Sequence, residues 1–139
     1  MNFLLDTTVV SEWMKPLPNP SVIQWLAEVD EDRVYLSVMT LAELRYGTER
    51  LPSGARKSRL EAWVQEELPL RFQGRLLIIE TTIADAWGRV MSRCSAIGRP
   101  IGVMDGFLAA TAEVHVLTLV TRNVSDFTTS GVSLFSPWR

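Results

Sequence analysis

The N-terminal stretch Met1-Asn2-Phe3-Leu4-Leu5-Asp6-Thr7-Thr8 constrains the fold more than any other part of the chain. Phe3, Leu4 and Leu5 form a short unbroken apolar run, the pattern of a strand covered on both faces of a parallel sheet. The run stops at an acid and two hydroxyl residues, after which Val9 to Lys15 reads as a short helix. Thr7 or Thr8 can cap that helix, which turns the chain sharply and leaves Asp6 at the strand tip. Open α/β sheets bind their ligands in the crevice beyond such tips. A simpler reading makes Asp6 only a capping residue. The two diverge on whether other acids end other strands in the same way.

The rest of the chain repeats the alternation. Pro16, Pro18 and Pro20 stop the first helix, and Pro20 opens a second with Val22, Ile23, Leu26 and Val29 at helical spacing. The acidic turn Asp30-Glu31-Asp32 reads as a solvated loop before a second strand, Val34 to Ser37. Leu41, Leu44, Thr48 and Leu51 then mark a helix face, and Thr40 with Glu43 has the spacing of a capping box. After Pro52-Ser53-Gly54, a helix from about Ala55 to Glu67 begins with Arg56, Lys57 and Arg59. Cations there oppose the helix dipole, which points to a solvent or partner role, with an ordinary exposed face the simpler account.

Leu76 to Ile79 reads as a third strand, and Thr82 with Asp85 opens a helix whose apolar side is Ile83, Trp87, Val90, Met91 and Cys94; Gly98 ends it. Asp105 falls in the first turn of the Ala-rich helix that follows, an acid beside Gly106 in an otherwise apolar run. Leu117 to Val120 is a fourth strand, followed by Thr121-Arg122-Asn123-Val124-Ser125-Asp126, and Val132 to Phe135 is a short fifth. His115 falls in the turn before the fourth strand, away from the acids. No linker or repeat divides the chain, so residues 1–139 read as one α/β domain with a largely parallel sheet.

Composition removes several functions. No apolar run approaches the roughly 20 residues of a membrane span, and no secretory leader is evident at the N-terminus. The lone Cys94 forms no internal disulfide, which suits a reducing, cytoplasmic setting. One Cys and one His exclude a thiolate–imidazole zinc site, so any metal is held by oxygen. A formal net charge of −2 does not suit bulk electrostatic binding of nucleic acid. Among the basic residues, however, only Lys15 and Lys57 are lysine, and the rest are arginines, which fit phosphate as a planar fork.

Asp6, Glu43, Asp105 and the Asn123/Asp126 loop share one placement, just past a buried strand or at the start of a helix on the crevice side. Any one of them alone reads as a cap; four on one edge do not. Converging carboxylates raise one another's pKa unless a cation offsets them. Hard divalent ions such as Mg²⁺ and Mn²⁺ prefer such oxygens. The chemistry implied is metal-assisted hydrolysis of a phosphate ester.

Leu4-Leu5-Asp6-Thr7, Leu41-Ala42-Glu43-Leu44, Met104-Asp105-Gly106 through Ala109-Ala110-Thr111-Ala112, and Leu119-Val120-Thr121-Arg122-Asn123 resemble the successive signatures of a PIN domain. The resemblance is closest to toxins of the VapC/FitB type and extends to the closing Pro137-Trp138. It implies a three-layer α/β/α fold with about five strands and an endoribonuclease dependent on Mg²⁺ or Mn²⁺. It also implies a homodimer neutralised by a VapB/FitA-like antitoxin, with operator DNA bound only through the antitoxin and no membrane partner. Asp6, Glu43 and Asp105 match the family's core acids, with Asp6 and Asp105 as metal ligands. At the fourth position some relatives carry an acid directly after the Thr-Arg pair. This chain has Asn123 there and Asp126 three residues on, which makes Asp126 the candidate fourth catalytic acid. Thr7, Thr121 and Asn123 are the supporting polar groups.

Two rival enzymes fit less well. A haloacid-dehalogenase-type phosphatase needs a second Asp two residues after the first, where this chain has Thr8. A receiver domain needs a lysine after a late strand, and none follows Lys57. The remaining alternative is a catalytically weak partner protein that acts mainly within an antitoxin-containing, operator-binding complex.

Overall fold

The computed structural model describes residues 1–139. Its centre is β1 (Phe3–Leu5), which pairs in parallel with β2 (Val34–Ser37) on one side and β4 (Thr118–Val120) on the other. β3 (Leu76–Leu77) extends the sheet beyond β2, and β5 (Leu134–Phe135) extends it beyond β4, both in parallel. The order is therefore β3-β2-β1-β4-β5, and the chain reverses its direction of travel across the sheet between β1 and β4. That reversal opens a crevice between the two strand ends.

Successive strand residues face opposite layers, and the core divides accordingly. Leu5, Leu36 and Val120 pack with Val9, Val22, Leu44, Leu68 and Phe72. Leu4 and Leu119 pack on the other face with Val90, Cys94, Leu108 and Ala109. The first layer is built from α1 (Thr7–Val10), α2 (Pro20–Glu28), α3 (Val38–Glu49), α4 (Ala55–Ala62) and α5 (Leu68–Arg71). The second holds α6 (Thr81–Ala96) and α7 (Val103–His115), with the short α8 (Val124–Phe127) beyond β4. This is the three-layer α/β/α arrangement, with all five strands parallel.

α6 and α7 approach closely because position 106 has no side chain. A Cβ there would lie 2.5 Å from Met91 Sδ and 2.9 Å from Trp87 Nε1. The Trp87 ring stacks on Phe107, and its N–H donates to the Val103 carbonyl at 3.1 Å.

Several local expectations need correction. β3 stops at Leu77 instead of Ile79 because its partner Ser37 is the last residue of β2; Ile78 is 60% exposed. β5 is likewise confined to the two residues that face Leu119 and Val120. α3 starts directly at the end of β2, and Ser37 caps it by accepting from the Met39 N–H at 3.0 Å. Thr40 and Glu43 therefore form no capping box. Neither Thr7 nor Thr8 caps α1; Asp6 itself does, and a 3₁₀ turn over Ser11–Met14 completes that segment.

The helix that begins at Ala55 also runs past Glu67. It widens into a π turn over Trp63–Glu67, where the Leu68 N–H reaches the Trp63 carbonyl, and continues to Arg71. Pro69 lacks the N–H that a regular helix needs at that point. α6 starts at Thr81, one residue before the proposed Thr82, with no side-chain cap. Lys57, at the start of α4, donates to the Glu49 carbonyl at 3.2 Å. A cation that opposes the dipole of its own helix thus serves the C-terminal end of another. His115 is the exposed last residue of α7.

Candidate active site

Asp6 leaves β1 at the crevice and is buried, 5% exposed. Its backbone N–H continues the ladder to the Val120 carbonyl at 2.9 Å, which fixes the residue between the two central strands. Oδ1 accepts from the Thr7 N–H at 2.7 Å. Oδ2 accepts from the Thr8 hydroxyl at 2.9 Å and the Thr121 hydroxyl at 2.6 Å. A carboxylate offers about four lone-pair sites, so these bonds hold it firmly and still leave acceptor capacity. Capping and site placement are not alternatives here, since one carboxylate does both.

The same short turn positions Glu43. The Thr7 hydroxyl donates to Glu43 Oε1 at 2.6 Å, across 36 residues of sequence, and the second carboxylate oxygen has no protein partner. Thr121 bridges the other side: its hydroxyl donates to Asp6 and accepts from the Asn123 N–H at 3.0 Å. Thr8 Oγ also accepts from the Arg122 N–H at 3.3 Å, a tie between the two strand ends.

Asp105 enters from the first turn of α7. Its carboxyl is pushed up to about 6, chiefly by burial and then by the charges of Asp6, Glu43 and Asp126. Asp6, Glu43 and Asp126 therefore all lie within electrostatic reach of Asp105. None of the four is paired with a lysine, arginine or histidine, although the chain contains eight such ion pairs elsewhere. Asp126 and Asp105 line one cleft of about 370 Å³, together with Arg99, Gly102, Ser125 and Thr129. Asn123 is exposed beside it, its amide making no side-chain hydrogen bond within the protein.

The donors suit a hard divalent ion. They are all oxygen, and their negative charge has no protein counter-ion. No three of the acids are gathered closely enough to enclose an ion unaided. Mg²⁺ takes one or two carboxylates and keeps several waters, so it needs no such cage. Asp6 is buried, and Glu43 and Asp105 are half-buried. Cys94 and His115 contribute nothing here. Cys94 is buried in the α6 core and accepts from the Thr129 hydroxyl at 3.4 Å, and His115 lies on the opposite edge of the sheet.

A parallel sheet with acids converging at its carboxyl edge defines a class of protein. The family model for the PIN domain matches residues 3–127, and the chain belongs to that family. Among its relatives is Toxin FitB of Neisseria gonorrhoeae, 38% identical over 135 residues, which are 97% of this chain and 97% of that one. VapC ribonuclease Y4jK of Sinorhizobium fredii is 33% identical over 135 residues, 97% of this chain and 96% of the relative. The solved structure of FitAB bound to an IR36 DNA fragment superposes with a TM-score of 0.93 at 36% identity. The match covers 99% of this chain and 96% of that chain.

Proposed function

We propose that the chain is an endoribonuclease toxin dependent on Mg²⁺ or Mn²⁺, working in the cytoplasm and held inactive by a cognate antitoxin. The observation that carries this reading is the set of four carboxylates without a cationic partner at the carboxyl edge of the sheet, with Asp105 raised to about 6 by burial and by the charges of the other three. Asp6 and Asp105 would hold the ion, which would lower the pKa of water and stabilise charge on a phosphate. Glu43, with one oxygen fixed by Thr7, has its other oxygen available to orient the attacking water. Asp126 adds negative charge on the cleft side, and Asn123 offers an amide to a phosphate oxygen. Thr7 and Thr121 keep Glu43 and Asp6 aimed while contributing no charge.

The VapC ribonuclease relative supports the nuclease assignment. The FitAB structure, a complex bound to a DNA fragment, supports a FitA-like antitoxin as the partner and an operator-binding complex; in our reading the chain is a homodimer and the antitoxin makes the DNA contact. A chain of formal net charge −2 has little electrostatic reason to hold an operator by itself. No helix is long and apolar enough to cross a membrane.

The test is cleavage of RNA by the antitoxin-free protein in Mn²⁺ or Mg²⁺, beside a chelated sample and an Asp105→Asn variant. Cleavage lost in both controls is the expected result. Cleavage that survives in both would overturn the assignment. A parent that binds its antitoxin and cuts no RNA would favour the partner-protein alternative.

A further inference from the structure

Arg99 has a backbone fixed from two directions. α6 closes in a Schellman motif: the Gly98 N–H donates to the Ser95 carbonyl and the Arg99 N–H to the Cys94 carbonyl, both at 3.0 Å. Gly98 takes the left-handed conformation that this closure requires, with φ 74°. The Thr129 hydroxyl then donates to the Arg99 carbonyl at 3.4 Å, and Pro100 restricts the residue further. The side chain thus leaves from a rigid base into the cleft that contains Asp105 and Asp126, and it is the only cation lining that cleft.

Its guanidinium is also uncommitted. Lys15, Arg33, Arg45, Arg71, Arg89 and Arg93 are in ion pairs. Arg75 donates to backbone carbonyls, and Arg50 and Arg122 sit over Tyr46 and Trp138. Arg56, Arg59 and Arg139 are also unpaired but do not line this cleft, and Arg99 makes no such contact even with two carboxylates in the same cleft. Five donors in a planar fork are left facing open space. A strand of RNA entering this cleft brings phosphates towards carboxylates, and only Arg99 offsets that repulsion away from the ion.

We propose that Arg99 is a substrate-positioning residue that grips a phosphate of the RNA next to the scissile linkage, with the Ser125 hydroxyl as a further donor. The proposal rests on the nuclease reading for what the strand is doing there, but it is testable by binding alone. Anisotropy of a labelled single-stranded oligoribonucleotide is measured across a salt series in Ca²⁺ and in chelator, with gels run alongside to follow cutting. Arg99→Ala is expected to weaken binding about tenfold at low salt. It should also flatten the plot of log affinity against log salt by about 0.7, the value for one phosphate contact on a single strand. Arg99→Lys should keep the slope and recover only part of the affinity, because a point charge replaces a fork. Arg33→Ala, at the opposite end of β2, should change neither.

An Arg99→Ala protein with unchanged melting temperature, affinity and slope overturns the proposal. So does a parent that binds no RNA, or a variant that loses the antitoxin while binding RNA normally. A parent that binds RNA through Arg99 and fails to cut it in Mg²⁺ or Mn²⁺ leaves this assignment standing and removes the nuclease reading instead.

Discussion

Replacing Asp105 by asparagine should make the metal-free protein more stable at pH 8 while abolishing its cleavage of RNA. The carboxyl is raised from 3.8 to about 6 by burial and by the charges of Asp6, Glu43 and Asp126. A shift of about two units corresponds to roughly 3 kcal/mol between the protonated and ionised forms. Water reaches this half-buried group, and its place in the first turn of α7 favours a negative charge. The net gain on neutralisation is therefore about 1–2 kcal/mol. For a raised acid the stabilising contribution is fully present below the unfolded pKa near 4 and is lost as pH rises through 6. The parent should lose this increment between those values, and the asparagine variant has no such group to titrate.

The assay is thermal melting of parent and variant in chelator from pH 4 to pH 8. At ~4 °C per kcal/mol for a chain of this size, the variant should melt about 4–8 °C higher at pH 8 and nearly level with the parent at pH 4. Added Mg²⁺ should reverse the order at pH 8. An ion at a hundredfold its Kd stabilises the parent by about 2.7 kcal/mol and should do little for a variant lacking a ligand. A variant that melts below the parent at pH 8 in chelator, or a gap that does not change with pH, would refute the argument. Equal stabilisation of both proteins by Mg²⁺ would refute the ligand assignment alone.

Three further outcomes follow from the same geometry. Asp6→Ala removes the cap of α1 and leaves the buried Thr121 hydroxyl without its acceptor, so denaturant unfolding should show a loss of about 2–3 kcal/mol; Asp6→Asn, which keeps an acceptor oxygen, should lose much less. Val116→Gly should raise stability by about 1 kcal/mol, because a β-branched residue at φ 54° sits where glycine is favoured, and its side chain, 86% exposed, packs on little. Gly106→Ala should cost about 1–3 kcal/mol by pushing on Met91 and Trp87, and near-ultraviolet circular dichroism should report the disturbed Trp87–Phe107 stack; Met91→Ala in the same chain should recover part of the loss.

The sequence made the positions of the central strands legible because they are buried on both faces, and such strands appear as unbroken apolar runs. Its limits lie where a partner decides. Nothing in Leu76-Leu77-Ile78-Ile79 says that pairing must stop at Leu77, because the reason is the end of β2 at Ser37. The spacing of Thr40 to Glu43 suggests a cap, yet the buried Thr40 hydroxyl makes no hydrogen bond, while Ser37 does the capping. Glu12 shows the same limit among the charged residues. It is 2% exposed, accepts from the Asn19 N–H at 2.8 Å and pairs with Lys15. Burial alone would raise its carboxyl; the bonds from Lys15 and Asn19 and the charges of Lys15 and Arg122 outweigh it and hold the group below its usual range. As a letter in the chain it is no different from Glu43, whose nearest fixed partner is a hydroxyl.

That difference in partner separates a structural acid from a candidate catalytic one. Glu12 is compensated by a lysine, so a metal ion would have nothing to gain there. Asp6 and Glu43 are held by Thr7, Thr8 and Thr121, which supply hydrogen bonds without positive charge. Hydroxyls fix the direction of a carboxylate and leave its electrostatic demand intact, whereas an arginine in the same place would satisfy both. The parallel strands β1 and β4 bring Asp6 and Thr121 together from 115 residues apart, and the tight Asp6-Thr7 turn carries the order outward to Glu43. Burial and then the charges of Asp6, Glu43 and Asp126 raise the Asp105 carboxyl to about 6, so the negative charge that the hydroxyls leave unneutralised is felt across the crevice.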